Sequence, residues 1–220
     1  MKVLITGGAG FIGSNFVHAM LEKHAADQFI VLDKLTYAGN LRNLDGALGN
    51  DRVQFVRMDI GDPAVVEVIR GCDAVVHFAA ESHVDRSIED ASPFLRTNIE
   101  GTWRLVEACR AGSVGRFIHV STDEVYGSIE APGSATERSR LAPTSPYAVS
   151  KAASDLFVLS AVRTYGFPAI ITRCTNNYGP FQFPEKFIPL MISRAMAGEP
   201  LPLYGDGRNV RDWIHVSDHC

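Results

Sequence analysis

Two carboxylates, Asp123 and Glu124, stand side by side where an apolar run beginning at Arg116 ends, with Thr122 just before them. Downstream come Tyr147 and Lys151, four residues apart, which on a helix puts both on one face, a turn apart. A free tyrosine has a pKa of ~10, too high for a base at neutral pH. A neighbouring ammonium and the positive ring of an oxidised nicotinamide both favour the phenolate. Tyr147 could then take a proton from an alcohol while hydride leaves the same carbon. Two carboxyls in a partly dry pocket do not ionise with equal ease, so such a pair can supply one acid and one base. Thr122, Asp123, Glu124, Tyr147 and Lys151 are therefore the candidate catalytic residues, able together to oxidise, eliminate water and reduce again. The plainer reading of Asp123 and Glu124 is a solvated acidic turn. Their place at the C-terminal end of a strand, where ligands bind in parallel sheets, argues for chemistry.

Hydride chemistry needs a carrier, and the N-terminus offers a site for one. Thr6-Gly7-Gly8-Ala9-Gly10-Phe11-Ile12-Gly13 joins a first strand to a first helix. Gly8, Gly10 and Gly13 fit the dinucleotide spacing: one glycine for the tight turn, one for approach to the pyrophosphate, one for helix–strand packing. The helix N-terminus would face the phosphates with its free N–H groups. Asp33 ends the second strand twenty residues beyond Gly13. It should accept from the adenosine ribose hydroxyls and repel a 2′-phosphate, favouring NAD over NADP. Lys34 is a counter-signal, since a cation there could receive that phosphate. Asp59 could meet the adenine amino group or cap the helix beginning at Pro63. The small residues Ala79 and Ala80, followed by Glu81 and Ser82, let the chain run close to the dinucleotide.

The elements that must position these residues follow from periodicity. Apolar runs at residues 2–6, 29–33, 53–59, 74–79, 116–121 and 169–173 suit strands of a parallel sheet covered on both faces. Amphipathic stretches at 11–24, 63–70, 93–111, 146–165 and 185–197 read as helices. Pro63, Pro93 and Pro146 sit where a first helical turn tolerates proline. The alternation gives an α/β fold, a doubly wound parallel sheet of the Rossmann type over residues 1–173. Residues 174–220 are turn- and proline-rich and read as the start of a smaller substrate-binding domain, with an apparent strand at 213–216. That stretch is too short to close a domain, so a truncated chain is expected.

Composition narrows the function classes. The 220 residues are 46% hydrophobic, enough for a sizeable core, and the net charge of −4 argues against a nucleic-acid partner. No apolar run approaches a membrane span, and no basic cluster suggests membrane attachment. Cys72, Cys109, Cys174 and Cys220 are far apart and read as free thiols in a reducing cytoplasm. The histidines show no metal-ligand spacing. His83 lies near the presumed site and reads as a structural hydrogen-bonding group, with Asp85 and Arg86 pairing locally.

With these motifs assembled, the chain resembles the extended short-chain dehydrogenase/reductase family, and within it the 4,6-dehydratases of nucleotide sugars. The stretches 6–13, 33–40, 79–87, 122–127, 147–151, 176–180, 184–189 and 203–213 carry the likeness, and Thr122-Asp123-Glu124 is the most specific of them. The resemblance implies NAD as cofactor, dTDP-glucose as substrate and a cytoplasmic homodimer paired through helices 93–111 and 146–165. It implies further cofactor contacts at Gly7, Phe11, Ile12, Leu35, Thr36, Ile60, Thr97 and Asn177. It places Ser82, Asn176, Lys186, Phe187 and Arg211 near the substrate, where Lys and Arg suit diphosphate oxygens. Tyr147 would deprotonate the C4 hydroxyl, Thr122 would hold the C4 oxygen, Glu124 would take the C5 proton and Asp123 would protonate the leaving C6 hydroxyl. Two other readings stand beside it. One is a 4-epimerase or decarboxylase of another sugar nucleotide. The other is a non-catalytic NAD-binding regulator.

Overall fold

The computed structural model describes residues 1–130, 132–203 and 205–220; Tyr204, within the 203–213 stretch, lies outside them. Six parallel strands form the main sheet: β1 (Lys2–Thr6), β2 (Gln28–Asp33), β3 (Val53–Arg57), β4 (Ala74–His77), β5 (Arg116–Thr122) and β6 (Ala169–Cys174), in the order β3-β2-β1-β4-β5-β6. The strand order reverses between β1 and β4, which opens a crevice at their C-terminal ends.

Both faces of the central strands β1, β2 and β4 are buried, as continuous apolar strands require, but the edge strands β3 and β6 hold no fully buried residue and Ile170 is 48% exposed, so the expected cover on both faces does not extend to the edges. Along β1, Leu4 packs into one cluster with Ile69, Leu105, Phe117 and Val158, while Val3 and Ile5 pack into another with Val17, Phe29 and Leu44. This is the two-residue alternation of a strand sandwiched between helical layers. Helix α1 (Phe11–Lys23) covers the second face. The first face is covered by α2 (Val65–Ile69), α5 (Thr102–Ala111) and α6 (Pro146–Tyr165).

The longest helix shows its boundary chemistry plainly. The Ser145 hydroxyl accepts the Ala148 N–H at 3.1 Å, Pro146 opens the first turn, and Gly166 closes the helix at φ 66°. The segment expected as one helix at 93–111 is instead α4 (Ser92–Phe94), a π-helical stretch over Leu95–Gly101, and α5. Such widened turns concentrate at functional sites. The third strand stops at Arg57, short of Asp59. The next helix begins at Val65, because Asp62 first folds the chain by accepting the Ala64 N–H at 2.8 Å.

Between β4 and α4 lies a helix absent from the sequence reading, α3 (Val84–Glu89). After β6 the main sheet ends. A separate parallel pair follows, β7 (Asn176–Tyr178) and β8 (Trp213–His215), with α7 (Phe187–Ala197) between them and α8 (Val216–His219) behind.

Candidate active site

A cleft runs across the C-terminal ends of the strands from the glycine turn to β8 and continues down the open side of α6 and β6 past Leu159, Arg163 and Ala169, about 2050 Å³ in all. All five candidate catalytic residues line it. The acidic pair thus lines the cleft, with both residues half-buried. So do Gly7, Gly10, Phe11, Ile12, Gly13, Asp33, Lys34, Thr36, Asp59, Ile60, Ala79, Ala80, Glu81, Thr97 and Asn177, and, on the expected substrate side, Ser82, Asn176, Lys186, Phe187 and Arg211. Leu35 is the exception: it turns away and packs against the α1-side core, offering its backbone N–H to Asp33 Oδ1 at 2.8 Å.

The glycine turn corrects one sequence reading. Gly7, not Gly8, carries the left-handed conformation, at φ 69°. A Cβ on Gly7 would lie 2.5 Å from the Ala79 nitrogen, and one on Gly13 would lie 2.3 Å from the Gly7 carbonyl oxygen. Gly8 is a packing glycine, its missing Cβ replaced by the Val31 side chain. The working spacing is thus Gly7, Gly10, Gly13. Gly10 precedes α1 and no side chain caps that helix, so its first-turn N–H groups open on the cleft as an anion site. Asp33, 8% exposed, is held by the backbone: Oδ2 accepts from Ala9 at 3.0 Å and Oδ1 from Leu35. Burial raises its pKa and those two N–H bonds oppose the rise. Lys34 is already engaged, its Nζ lying 2.6 Å from Asp59 Oδ2. Asp59 is therefore not a helix cap. Burial pushes its carboxyl up, but Lys34 and the Gly61 N–H outweigh burial and hold it low. A cradle of bare glycine backbone, an open helix end and a fixed carboxylate fits a dinucleotide with a free ribose 2′-hydroxyl.

Deeper in the cleft, Lys151 is 4% exposed and its Nζ donates to the Val120 carbonyl at 2.8 Å. Burial lowers its pKa to about 8, against the pull of the Asp155 charge. Tyr147 departs from expectation. Burial pushes its phenol upward, the charges of Glu124, Cys174 and Asp123 push the same way, and the Thr122 hydroxyl alone opposes them. The four-residue spacing to Lys151 does not by itself offset that burial. Glu124 is likewise raised, first by burial and then by Asp123, with Lys186 and Arg211 opposing. A carboxylate with raised proton affinity suits removal of a proton from carbon. Thr122 organises the turn: its hydroxyl accepts the Glu124 N–H at 3.3 Å and lies 3.2 Å from Asp123 Oδ1.

On the far wall, Lys186 Nζ donates to the Ser82 carbonyl at 3.1 Å, and Asn176 Nδ2 donates to the Asp212 carbonyl at 3.1 Å. Arg211 is exposed and donates to the carbonyl of its neighbour Val210. Asn177 is held by His219, whose Nδ1 lies 2.8 Å from its Oδ1. Arg86 pairs with Glu185 at 3.1 Å and not with Asp85 as expected, while His83 has the structural role expected of it, accepting the Arg86 N–H at the start of α3.

Asn98 escaped the sequence reading. Its amide exchanges two hydrogen bonds with the Glu81 backbone and donates to Ser150 at 2.8 Å, tying the loop after β4 to α6. A polar residue on the buried face of an expected helix was the available signal.

Known proteins share this arrangement. The family model described as "NAD dependent epimerase/dehydratase family" matches residues 3–220. A dTDP-glucose 4,6-dehydratase of Actinoplanes sp. is 54% identical across all of this chain and 70% of its own length; that of Neisseria meningitidis serogroup B is 50% identical, with 65% of its length covered. The chain thus spans about two thirds of these relatives. The crystal structure of a dTDP-glucose 4,6-dehydratase from Streptomyces venezuelae, with NAD bound, superposes over the whole chain and 70% of its own, at a TM-score of 0.97 and 56% identity. A UDP-glucuronic acid 4-epimerase from Bacillus cereus, with NAD and UDP-glucuronic acid, reaches a TM-score of 0.95 at 32% identity over all of this chain and 70% of its own.

Proposed function

This chain belongs to the NAD-dependent epimerase/dehydratase family, and on that premise we propose that it dehydrates dTDP-glucose to dTDP-4-dehydro-6-deoxyglucose. The observation that carries the reading is the acidic pair facing the same cleft as Tyr147, Lys151 and the glycine cradle. A 4-epimerase needs the phenol and the cofactor but no second acid–base pair.

When bound, NAD supplies the acceptor for the C4 hydride, the donor that returns it to C6, and a ring charge favouring the Tyr147 phenolate. Tyr147, its phenolate favoured by the Lys151 ammonium, takes the C4 hydroxyl proton, and Thr122 holds the C4 oxygen. The resulting ketone acidifies C5. Glu124 removes the C5 proton, Asp123 protonates the C6 hydroxyl as it leaves as water, and Glu124 later returns a proton to C5. Asn176, Lys186 and Arg211 hold the nucleotide diphosphate, with Ser82 and Phe187 against the sugar end. Asp33, with Lys34 tied to Asp59, selects the unphosphorylated ribose.

Residues 1–173 form the cofactor domain in this reading and 174–220 the beginning of the sugar-nucleotide part. The working unit is a cytoplasmic homodimer. Leu95, Trp103, Val149, Leu156 and Phe157 are each between 43% and 58% exposed along the π segment, α5 and α6, a row that a second copy would cover.

The test is Glu124→Gln. It should still reduce bound cofactor on dTDP-glucose, while release of the 4-keto product falls by roughly 10²- to 10⁴-fold, the usual contribution of a positioned base. Normal turnover by Glu124→Gln would remove the base assignment.

A further inference from the structure

The reaction proposed above needs two sets of groups held against one hexose: the phenol and ammonium on α6, and the acidic pair on the turn after β5. Asp123–Tyr126 is a single 3₁₀ turn. Backbone bonds hold it to itself and to its own loop, Gly127 N–H to the Glu124 carbonyl at 3.1 Å and Ala142 N–H to the Val125 carbonyl at 3.0 Å. Neither bond reaches α6.

A side-chain bridge does. Asp155 lies one helical turn beyond Lys151 and is fully buried. Arg173, on β6, donates from Nε to Asp155 Oδ2 at 2.8 Å and from Nη1 to the Tyr126 hydroxyl at 2.9 Å. Its guanidinium carbon stands 5.1 Å from the centre of the Tyr126 ring. The other Asp155 oxygen lies 3.4 Å from His119 Nε2 on β5. Burial pushes the Asp155 carboxyl up, but its contacts with His119 and Arg173 outweigh burial and hold it below its ordinary value.

We propose that Arg173, gripping Asp155 with one arm and Tyr126 with the other, is the positioning residue that sets the Asp123–Glu124 turn against the Tyr147/Lys151 helix. A buried ion pair gives little net stability over apolar side chains of the same size, so its contribution here is geometric. The guanidinium suits the task because its donors lie in one rigid plane and address two partners at fixed angles. A lysine offers a single point charge on a flexible stem.

The inference rests on the dehydratase reading, and the test separates the two. Tyr126→Phe removes one hydroxyl and Arg173→Lys removes the fork while keeping the charge. Displacing a reacting group by about an ångström costs on the order of 10²-fold in rate. Elimination should therefore slow by roughly ten- to a hundredfold in either variant while C4 oxidation is spared. During turnover of dTDP-glucose the fraction of bound cofactor in the reduced form, read by its near-ultraviolet absorbance, should rise above wild type. In the cofactor-free protein, the stability losses of Tyr126→Phe and Arg173→Lys should fall short of additive, as coupled neighbours do. A wild type that dehydrates dTDP-glucose while both variants keep its reduced fraction overturns the bridge alone. Fully additive stability losses overturn it too. A wild type that yields no 4-keto product overturns the dehydratase reading and the bridge together.

Discussion

Substituting Gly7 by alanine isolates the steric demand of the cofactor turn. Gly7 sits at φ 69°, where an L side chain costs roughly 1–2 kcal/mol, partly offset by about 0.4–1 kcal/mol from a stiffer unfolded chain. Gly71, at φ 75° after α2, has the same strain, but its Cβ would meet nothing within 4 Å. Gly71→Ala should therefore cost only about 1 kcal/mol. At Gly7 the new methyl group would lie 2.5 Å from the Ala79 nitrogen, 2.7 Å from its Cα and 2.8 Å from the Phe78 carbonyl carbon. These are backbone atoms just past β4, held by the Phe78 N–H bond to the Thr6 carbonyl at 3.0 Å. They cannot retreat as a flexible side chain would, so overpacking adds roughly 1–3 kcal/mol. At about 2–4 °C per kcal/mol for a domain of this size, thermal unfolding should fall by roughly 4–15 °C in Gly7→Ala and by only a few degrees in Gly71→Ala. Calorimetry of the cofactor-free protein measures both, and NAD titration should show weakened binding in Gly7→Ala alone. Equal stability of the two variants would refute the placement of the turn at Gly7.

Two further outcomes follow from burial and exposure. His119 is fully buried, and burial, aided by the Lys151 charge, lowers its pKa to about 4 from 6.5. Its folded pKa is depressed, so the unfolded chain binds the extra proton first as pH falls. Stability present above pH 6.5 is then lost towards pH 4, by roughly 3 kcal/mol. His77, stacked on His119 and also depressed by burial, acts in the same direction. Urea unfolding from pH 7 to 4 should show a shallower loss in His119→Asn, and an unchanged slope would contradict the account. On the surface, Leu156 is 58% exposed on α6. Leu156→Glu should leave the folded subunit intact and halve the mass seen by light scattering; an unchanged mass would remove α6 from the interface.

Much of this architecture is local, and local patterns can be read along the chain. β1, β2, β4, β5 and β6 follow apolar runs bounded by glycine, proline or charge, and α6 carries its own cap, proline and terminal glycine. The glycine loop, Asp33, Tyr147 with Lys151 and the Thr122–Glu124 triplet were visible because each needs only near neighbours to be recognised. Three features depended on packing between distant segments. Gly7 rather than Gly8 makes the turn: it takes the left-handed φ, and Ala79, just past β4, leaves no room there for a Cβ. Arg86 takes Glu185 rather than Asp85 because α3 faces the start of α7, ninety-nine residues away. The proton affinities of Tyr147, Lys151 and Glu124 are set chiefly by burial, which no spacing encodes. The sequence by itself determined the strands of the main sheet, the doubly wound class and the chemical types at the site, since these follow from periodicity and turn chemistry, but it left the strand order open and missed the short β7. Only the tertiary structure decided which charges meet and how dry each one is, because Coulomb energies depend on distance and dielectric in three dimensions.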